Sequence, residues 1–314
     1  MELIRGFVGL KSRYRGSVAT IGNFDGVHRG HQAVLRDLKA QAASSGAPSV
    51  VILFEPMPQE YFAVSQPPAR LTRFFEKWPL LEVAGVERVL CLRFGPKLAE
   101  MAPEEFIEQV LVKGLGVQHL AVGDDFRFGR ERRGDFALLQ QNGRRHGFEV
   151  SHAPTLMVDG ERVSSTRIRE LLAEGDMASA AELLGRAYAL SGRVMYGERL
   201  GRKLGFPTVN LALRRRVSPL SGIFAARVHG AGEKPLRAAA YIGMRPAAGG
   251  TELVLEAHLP GFEGDLYGRR LRVEFLHRLR EDRHFDSLDA LSAQMRIDTE
   301  AAMAWLGQYE KSTS

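Results

Sequence analysis

Short apolar runs alternate with longer segments of helical composition through the first half of the chain. The runs are rich in Val, Ile and Leu, which predicts buried strands at residues 18–21, 50–54, 88–92 and 119–122. The longer segments predict helices at residues 31–43, 74–83, 103–113 and 135–145. Strands that alternate with helices indicate a doubly wound parallel sheet, in which ligands bind beyond the carboxyl ends of the strands.

The pattern changes near Arg186. Two short helices are predicted before it, at residues 165–172 and 177–184. After it, glycines and prolines separate short apolar runs, which predicts strands at residues 187–194, 223–228, 238–242, 253–259 and 271–279. Such strands favour a small antiparallel β-barrel, and the apolar positions after Asp286 predict a C-terminal helix. We therefore expect two domains, residues 1–185 and 186–314.

The composition narrows the classes of function. A formal net charge of +6 suits a protein that handles nucleotides and also suits weak nucleic-acid binding. The pattern offers no aromatic platform for stacked bases, so we expect small-molecule substrates and no nucleic-acid partner. No apolar run could cross a bilayer, residues 1–10 lack a secretory signal's apolar core, and Cys91 is the single cysteine. We expect a cytoplasmic protein without a membrane partner; no feature specifies its oligomeric state.

The first candidate site joins a predicted strand to a predicted helix. Gly26 and Gly30 allow close approach of the backbone to a ligand, and the helix N-terminus is a natural seat for phosphate. His28 and His31 could both donate hydrogen bonds to that phosphate. A helix cap or a surface pair is the alternative, and a metal site is disfavoured because no third ligand is near. The segment reads Gly22, Asn23, Phe24, Asp25, Gly26, Val27, His28, Arg29, Gly30 and His31.

Two further segments belong with it. The stretch around Ser164 opens a predicted helix that Ser165 or Thr166 could cap, and Arg167 adds a cation able to grip a triphosphate. An ordinary helix cap is the alternative. Between these segments lies the glycine-bounded stretch 123–129, which contains Asp125 and Phe126.

The second candidate site lies in the predicted barrel. Residues 197–210 form a loop rich in glycine and cations, without the Gly-Lys-Ser/Thr ending of a Walker A loop. A surface hairpin loop is the alternative. Downstream, Glu256 shares one face of a predicted strand with Val254 and His258, and could equally be a carboxylate in water. The loop includes Gly201, Lys203, Gly205, Pro207, Thr208 and Asn210.

In this order, the motifs resemble those of the bacterial bifunctional riboflavin kinase/FAD synthetase family over almost the whole chain. The resemblance implies a nucleotidylyltransferase domain in which FMN phosphate attacks the α-phosphorus of ATP. His28 and His31 would stabilise the phosphates during transfer, Asp125 and Phe126 would border the adenosine, and the loop from Gly22 to Gly26 would bind nucleotide. The β- and γ-phosphates would be held by Ser164, Ser165, Thr166 and Arg167.

The resemblance also implies a riboflavin kinase domain. There Thr208 and Asn210 would bind Mg²⁺, and Glu256 would be the base that takes the proton of the riboflavin 5′-hydroxyl. Tyr267 and Arg280 would contact flavin, while ATP phosphates would lie against Gly201, Lys203, Gly205 and Pro207. The implied substrates and products are ATP, riboflavin, FMN and FAD. A flavin-binding regulator without activity is the alternative, but it would need no such base.

Four positions depart from the family pattern. Met57 stands between two prolines where the family commonly has histidine, and it cannot donate to a phosphate. In the barrel, Tyr241, Met244 and Ala247 replace polar residues of a second motif. We therefore expect some flavin contacts of this chain to differ from the family's.

Overall fold

A computed structural model describes residues 1–63, 65, 67–196, 206–247 and 250–313. The chain forms two compact units, each with its own hydrophobic core. The first unit consists of Met1–Pro68 and Thr72–Ser164, and the second of Ala69–Leu71 and Ser165–Ser314.

The first unit is built on a parallel six-stranded sheet. Its strands are β1 (Glu2–Arg5), β2 (Ser17–Ile21), β3 (Ser49–Glu55), β4 (Arg88–Arg93), β5 (Val117–Val122) and β6 (Glu149–His152). Their order in the sheet is β1-β4-β3-β2-β5-β6, and every pairing is parallel. The predicted doubly wound sheet is confirmed, and β1 and β6 are edge strands that the sequence analysis missed.

Helices cover both faces of this sheet. They are α1 (Arg29–Ser45), α2 (Pro58–Phe62), α3 (Phe74–Val83), α4 (Pro96–Ala99), α5 (Pro103–Phe106) and α6 (Phe136–His146). Because side chains alternate along a strand, β2 sends Val18 to the α1 side and Ala19 to the opposite core. This alternation explains why the central strands read as continuous apolar runs.

The predicted helix at residues 103–113 differs from the structure in its second half. After α5 the chain continues as a π-helical stretch, Ile107–Leu115, which ends at Gly116 in the left-handed region (φ 52°). A hairpin of β7 (Met157–Val158) and β8 (Glu161–Arg162) was also not predicted. Both features are short and depend on local backbone geometry, which hydrophobic periodicity does not report.

The second unit contains a closed antiparallel barrel, as predicted. Its strands are β9 (Tyr188–Met195), β10 (Thr208–Ala212), β11 (Gly222–His229), β12 (Leu236–Ala247), β13 (Gly250–His258) and β14 (Arg270–Arg280). Their order around the barrel is β10-β13-β12-β11-β14-β9. Thr208 and Asn210, predicted to lie in a loop, belong to β10. This strand was not predicted, because it directly follows a segment rich in glycines and cations.

Three helices complete this unit: α7 (Ser165–Glu174), α8 (Met177–Leu184) and the predicted C-terminal helix α9 (Leu288–Thr313). Leu172 of α7 and Leu184 of α8 are fully buried in one core with barrel residues such as Leu190. Arg278 of β14 donates to the carbonyls of Ala173 and Glu174 at the end of α7. The compact unit therefore begins at Ser165, ahead of the change in pattern near Arg186. The domain boundary at 185/186 stays a prediction.

A three-residue segment from the first half of the chain also belongs to the second unit. Each carbonyl of Ala69–Leu71 accepts one hydrogen bond from a side chain of that unit. The donors are Arg169 Nε to Ala69 (2.6 Å), Arg215 Nη1 to Arg70 (2.8 Å) and the Tyr188 hydroxyl to Leu71 (3.1 Å). Leu71 itself is fully buried in the core of this unit. We call residues 69–71 the strap.

We expect a fragment of residues 165–314 to be more stable than one of residues 186–314. The shorter fragment lacks α7 and α8 and so exposes the apolar barrel residues that they cover. Since burying one large apolar side chain contributes about 1.5–3 kcal/mol, the free energy of unfolding should differ by several kcal/mol. Urea denaturation followed by Trp305 fluorescence measures this, and equal unfolding midpoints would contradict the assignment of α7 and α8 to this unit.

Candidate active sites

The loop between β2 and α1 has unusual backbone geometry. Phe24 (φ 47°) and Val27 (φ 42°) lie in the left-handed region, which costs about 1–3 kcal/mol for residues of this kind. Gly26 (φ 85°) adopts a positive φ without that cost. Such conformations persist only where the surrounding contacts hold them, and they cluster at ligand sites.

Buried hydrogen bonds to Thr72 hold this loop. Asp25, only 2% exposed, accepts at Oδ1 from the Thr72 N–H (2.9 Å) and from its hydroxyl (3.3 Å). The N–H of Gly26 in turn donates to Thr72 Oγ1 (2.8 Å). Asp25 therefore supports the loop from beneath, and its predicted contact with nucleotide stays a prediction.

The two predicted histidines lie together at the start of α1. Their rings stack with centroids 3.6 Å apart, and His28 Nδ1 accepts from the His31 backbone N–H (3.2 Å), which makes His28 the helix cap. The cap uses Nδ1 of His28, and its predicted contact with phosphate stays a prediction. His31 Nδ1 is buried and has no hydrogen-bond partner among the described residues. Burying a polar atom without a hydrogen-bond partner costs free energy, unless a ligand supplies the partner.

The charge state of His31 follows from its surroundings. Burial lowers its pKa well below the ordinary value, and the positive charges of His28 and Lys77 lower it further. His31 is therefore neutral at pH 7 and offers one donor and one acceptor nitrogen.

Lys77 of α3 is a residue that the sequence analysis missed. Its side chain is 2% exposed, and Nζ donates to the Asn23 carbonyl of the loop. A buried ammonium beside the β2–α1 loop adds fixed positive charge where an anion is expected. No sequence signal marks it, since a lysine in an amphipathic helix ordinarily faces water.

The segment that leads into α7 passes this loop. A Cβ at Gly30 would lie 3.2 Å from the Val163 carbonyl oxygen, so the absence of a side chain there favours this close approach. Ser164 ends the first unit, whereas Ser165, Thr166 and Arg167 begin α7 in the second unit. Arg167 Nη1 lies 3.4 Å from Glu170 Oε2 in the same helix. The structure thus brings Gly30 and Val163 together, and contacts of Ser164, Ser165, Thr166 and Arg167 with nucleotide stay predictions.

A continuous series of aromatic rings lies beyond the carboxyl ends of β3, β4 and β5. Phe126 stacks on Phe128 (centroids 5.5 Å apart), and Phe54 lies edge-on to Phe94 (5.9 Å). Neighbouring centroids along the series are 5.2–6.4 Å apart. We call this series the aromatic wall: Tyr61, Phe62, Phe94, Phe54, Phe106, Phe128 and Phe126. Of these rings, Phe126 alone was predicted from the sequence to lie at the site, although aromatic residues directly at strand ends are a usable signal.

Two other predicted features border this wall. Asp125 is exposed, and its Oδ1 lies 3.6 Å from Arg162 Nη2. Met57, which departs from the family pattern, is 1% exposed and is the N-cap residue directly before α2.

In the barrel, the register places the predicted kinase residues in one row. Asn210 of β10 pairs with Glu256 of β13, which pairs with Tyr241 of β12. Tyr241 pairs with Ile223 of β11, and Ile223 pairs with Arg280 of β14. Directly opposed residues in antiparallel strands point to the same face, so this row shares one side of the barrel wall. The neighbouring residues Leu211, Leu255 and Ile242 point inward to the core.

Glu256 is bound by an arginine. Arg245 Nη1 donates to Glu256 Oε1 (2.6 Å) and Nη2 to Oε2 (3.2 Å), a two-pronged pair. The Glu256 side chain is 17% exposed, so it is not a carboxylate in open water. Sequence analysis did not single out Arg245.

The remaining predicted residues differ in how far they are described. Thr208 and Asn210 are two residues apart in β10, so their side chains point to the same face. The Pro207 carbonyl accepts a hydrogen bond from His258 Nδ1 (2.9 Å). Gly201, Lys203 and Gly205 lie outside the described residues.

The two predicted flavin contacts are engaged with protein groups. Arg280 donates to both carboxylate oxygens of Asp298 in α9 (2.9 and 2.7 Å) and to the Glu281 carbonyl (2.9 Å). Tyr267 stacks on Tyr196 with centroids 3.9 Å apart. Arg280 thus anchors the C-terminal helix, and a flavin contact would use its remaining N–H groups.

Comparisons with known proteins cover both units. The FAD synthetase family model matches residues 10–167, and the riboflavin kinase family model matches residues 184–306. Proteins named bifunctional riboflavin kinase/FMN adenylyltransferase are similar in sequence. Those of Escherichia coli K12 and Pseudomonas fluorescens are each 48% identical, covering 98% and 97% of both chains. That of Haemophilus influenzae is 43% identical, covering 97% of this chain and 99% of its own.

The chain belongs to the bifunctional riboflavin kinase/FMN adenylyltransferase family. The resemblance inferred from the motifs is thereby confirmed, along with the order of the two domains.

One solved structure carries a different description. A crystal structure from Streptococcus pneumoniae, described as a macrolide-efflux protein, matches with a TM-score of 0.82 and 28% identity, over 97% of this chain and 100% of that one. Among the described residues here, no helix has the length and apolarity to cross a membrane. The description belongs to that protein; the family models and the more similar relatives decide the family of this chain.

We expect the first unit to lose stability as the pH falls below about 6.5, the ordinary pKa of histidine. The pKa of His31 is lowered in the folded state, so the unfolded chain binds protons more readily over the interval below that value. His31→Gln should flatten this dependence. Urea denaturation followed by Trp78 fluorescence, in a Trp305→Phe background, measures it. His146→Gln, at an exposed position in α6, is the matched control and should keep the dependence of the parent protein.

Proposed function

We propose that residues 10–167, which match FAD synthetase, and residues 184–306, which match riboflavin kinase, carry the two reactions of the family. The chain is a bifunctional enzyme of flavin cofactor synthesis, which phosphorylates riboflavin to FMN with ATP and adenylylates FMN to FAD with release of pyrophosphate. The proposal assigns residues to each step. Its main support in the barrel is the row that aligns Asn210, Glu256 and Arg280 across five strands.

In adenylyl transfer, the first unit binds phosphates at the start of α1. The attacking FMN phosphate is already an anion, so the step needs positioning and neutralisation of charge rather than a base. His28 and His31 donate to the phosphates in flight, and the unpartnered, neutral His31 Nδ1 supports this role. Lys77 adds a fixed positive charge beneath the loop. Ser164, Ser165, Thr166 and Arg167 hold the β- and γ-phosphates.

The aromatic wall binds the flavin of FMN. A planar, polarisable ring system gains about 0.5–1.5 kcal/mol from each well-placed aromatic neighbour beyond the burial of its surface. Phe62 at the end of the wall is 68% exposed, a large apolar ring that a bound flavin would cover. Asp125 and Phe126 border the adenosine at the other end.

In the kinase step, Glu256 accepts the proton of the riboflavin 5′-hydroxyl as its oxygen attacks the γ-phosphorus of ATP. The Thr208 hydroxyl and the Asn210 amide oxygen are hard, neutral donors on one face of β10, a set that fits Mg²⁺. Bound there, Mg²⁺ would neutralise phosphate charge. Gly201, Lys203, Gly205 and Pro207 lie against the nucleotide, and Tyr267 and Arg280 lie on the flavin side. A cytoplasmic location is part of the proposal.

Replacing both His28 and His31 by Ala should reduce FAD formation from FMN steeply while FMN formation from riboflavin continues. Removing one preorganised donor typically costs about 10²–10³ in rate, so the double variant should lose at least that much. Chromatography of products from each substrate measures both steps in one protein. His146→Ala serves as the control, and loss of both activities in the double variant would contradict the division of labour.

Glu256→Gln keeps the shape of the side chain but cannot take a proton. Kinase turnover should fall by about 10²–10⁴-fold, while binding of riboflavin and ATP changes little. FAD formation from supplied FMN should be untouched. Glu252→Gln is the matched control, because Glu252 is exposed on the same face of the same strand. A Glu256→Gln protein that makes FMN at nearly the parent rate would show that Glu256 is not the base.

A further inference from the structure

Tyr241, one of the departures from the family pattern, contacts the residues around the proposed base. It stands directly opposite Glu256 in the β12–β13 register. Its hydroxyl donates to Asp282 Oδ2 (2.8 Å), just beyond the end of β14. The Arg245 guanidinium lies over its ring, 4.8 Å from the centroid. Tyr241 therefore links Asp282 on one side to Arg245 on the other.

The Tyr241 hydroxyl is a permanent donor. Burial raises the pKa of Tyr241 to about 12, and the hydrogen bond to Asp282 acts in the same direction. At neutral pH the hydroxyl keeps its proton, so it fixes the ring rather than exchanging protons with a substrate. Because the orientation of the Tyr241 ring is fixed, the Arg245 guanidinium can stack on one face of it, which favours the cation–π contact.

Gly243 makes room for this arrangement. It lies between Tyr241 and Arg245 on the same face of β12, and a Cβ there would clash with the Tyr241 hydroxyl and lie 3.0 Å from Asp282 Oδ2. Any side chain at this position would displace the tyrosine. Without a side chain at position 243, the Arg245 side chain extends along β12 toward Tyr241 and contacts the Glu256 carboxylate on β13.

We propose that Arg245 is the positioning residue of the kinase step, and that Tyr241 and Asp282 hold it on Glu256. The two N–H groups of the guanidinium bind both carboxylate oxygens, so the plane of the carboxylate is fixed while each oxygen keeps a lone pair for the incoming hydroxyl. A guanidinium keeps its proton at any working pH, so Arg245 stays a cation and a donor to both carboxylate oxygens. This inference rests on the proposed role of Glu256 as base.

The test measures riboflavin phosphorylation by the full-length protein as kcat and KM. Arg245→Met should lower kcat by about 10²-fold, because a misplaced catalytic group costs that much, with KM for riboflavin nearly unchanged. Arg245→Lys keeps the charge but not the two-pronged geometry and should be intermediate. Tyr241→Phe removes one hydrogen bond and should cost about tenfold or less.

The split between kcat and KM separates positioning from a merely structural role. A merely structural role would lower the stability of the protein, which urea denaturation measures, whereas positioning predicts a fall in kcat with KM nearly unchanged and partial rescue in Arg245→Lys.

Controls keep the outcomes distinct. Arg237→Met removes another arginine of β12, one that pairs with Glu310, and should leave kinase kcat near the parent value. FAD formation from supplied FMN should be normal in every variant. Tyr241→Phe combined with Arg245→Met should be no slower than Arg245→Met alone, because the tyrosine acts through the arginine.

Two results would overturn the inference. If Arg245→Met and Arg245→Lys keep the parent kcat while Glu256→Gln is inactive, the base stands but Arg245 does not position it. If KM for riboflavin rises with kcat unchanged, Arg245 binds substrate instead. An active Glu256→Gln protein would instead remove the proposed function on which the inference rests.

Discussion

The alternation of side chains in hydrogen-bonded strands is the constraint on which the barrel and its site depend. Because the barrel is closed, every strand is paired on both edges, and no strand can slip by one residue without turning its apolar side chains outward. The same register that buries Leu255 and Ile242 therefore presents Glu256 and Tyr241 together on the opposite face. The packing of the core in this unit therefore fixes where the side chain of Glu256, the proposed base, lies.

The first unit achieves precision in a different way, with buried polar contacts around a strained loop. Asp25 and Thr72 fix the loop, Lys77 binds its carbonyl, and His31 is held neutral with one nitrogen unpartnered. Each of these groups is costly to bury without a partner. Together these contacts fix the loop at the start of α1, where the proposed phosphate site lies.

Hydrophobic periodicity was enough to predict the central strands, both layers of helices and the barrel, since these elements bury continuous or alternating apolar residues. It missed β1 and β6, which are short edge strands, and β10, which follows a glycine-rich segment. The motif resemblance identified His28, His31 and Glu256. It could not identify Lys77 or Arg245, because a buried lysine and a cross-strand ion pair are defined by neighbours distant in sequence.

The strap has a consequence for the order in which the protein is made. Residues 69–71 leave the ribosome before Arg169, Tyr188 and Arg215 exist, so their carbonyls cannot take their final partners until most of the chain has been translated. Thr72, directly after the strap, holds the loop at Asp25 and Gly26. Vectorial synthesis thus leaves residues 69–71 without their final partners until the barrel begins to form, and no single cut through the chain separates the two units.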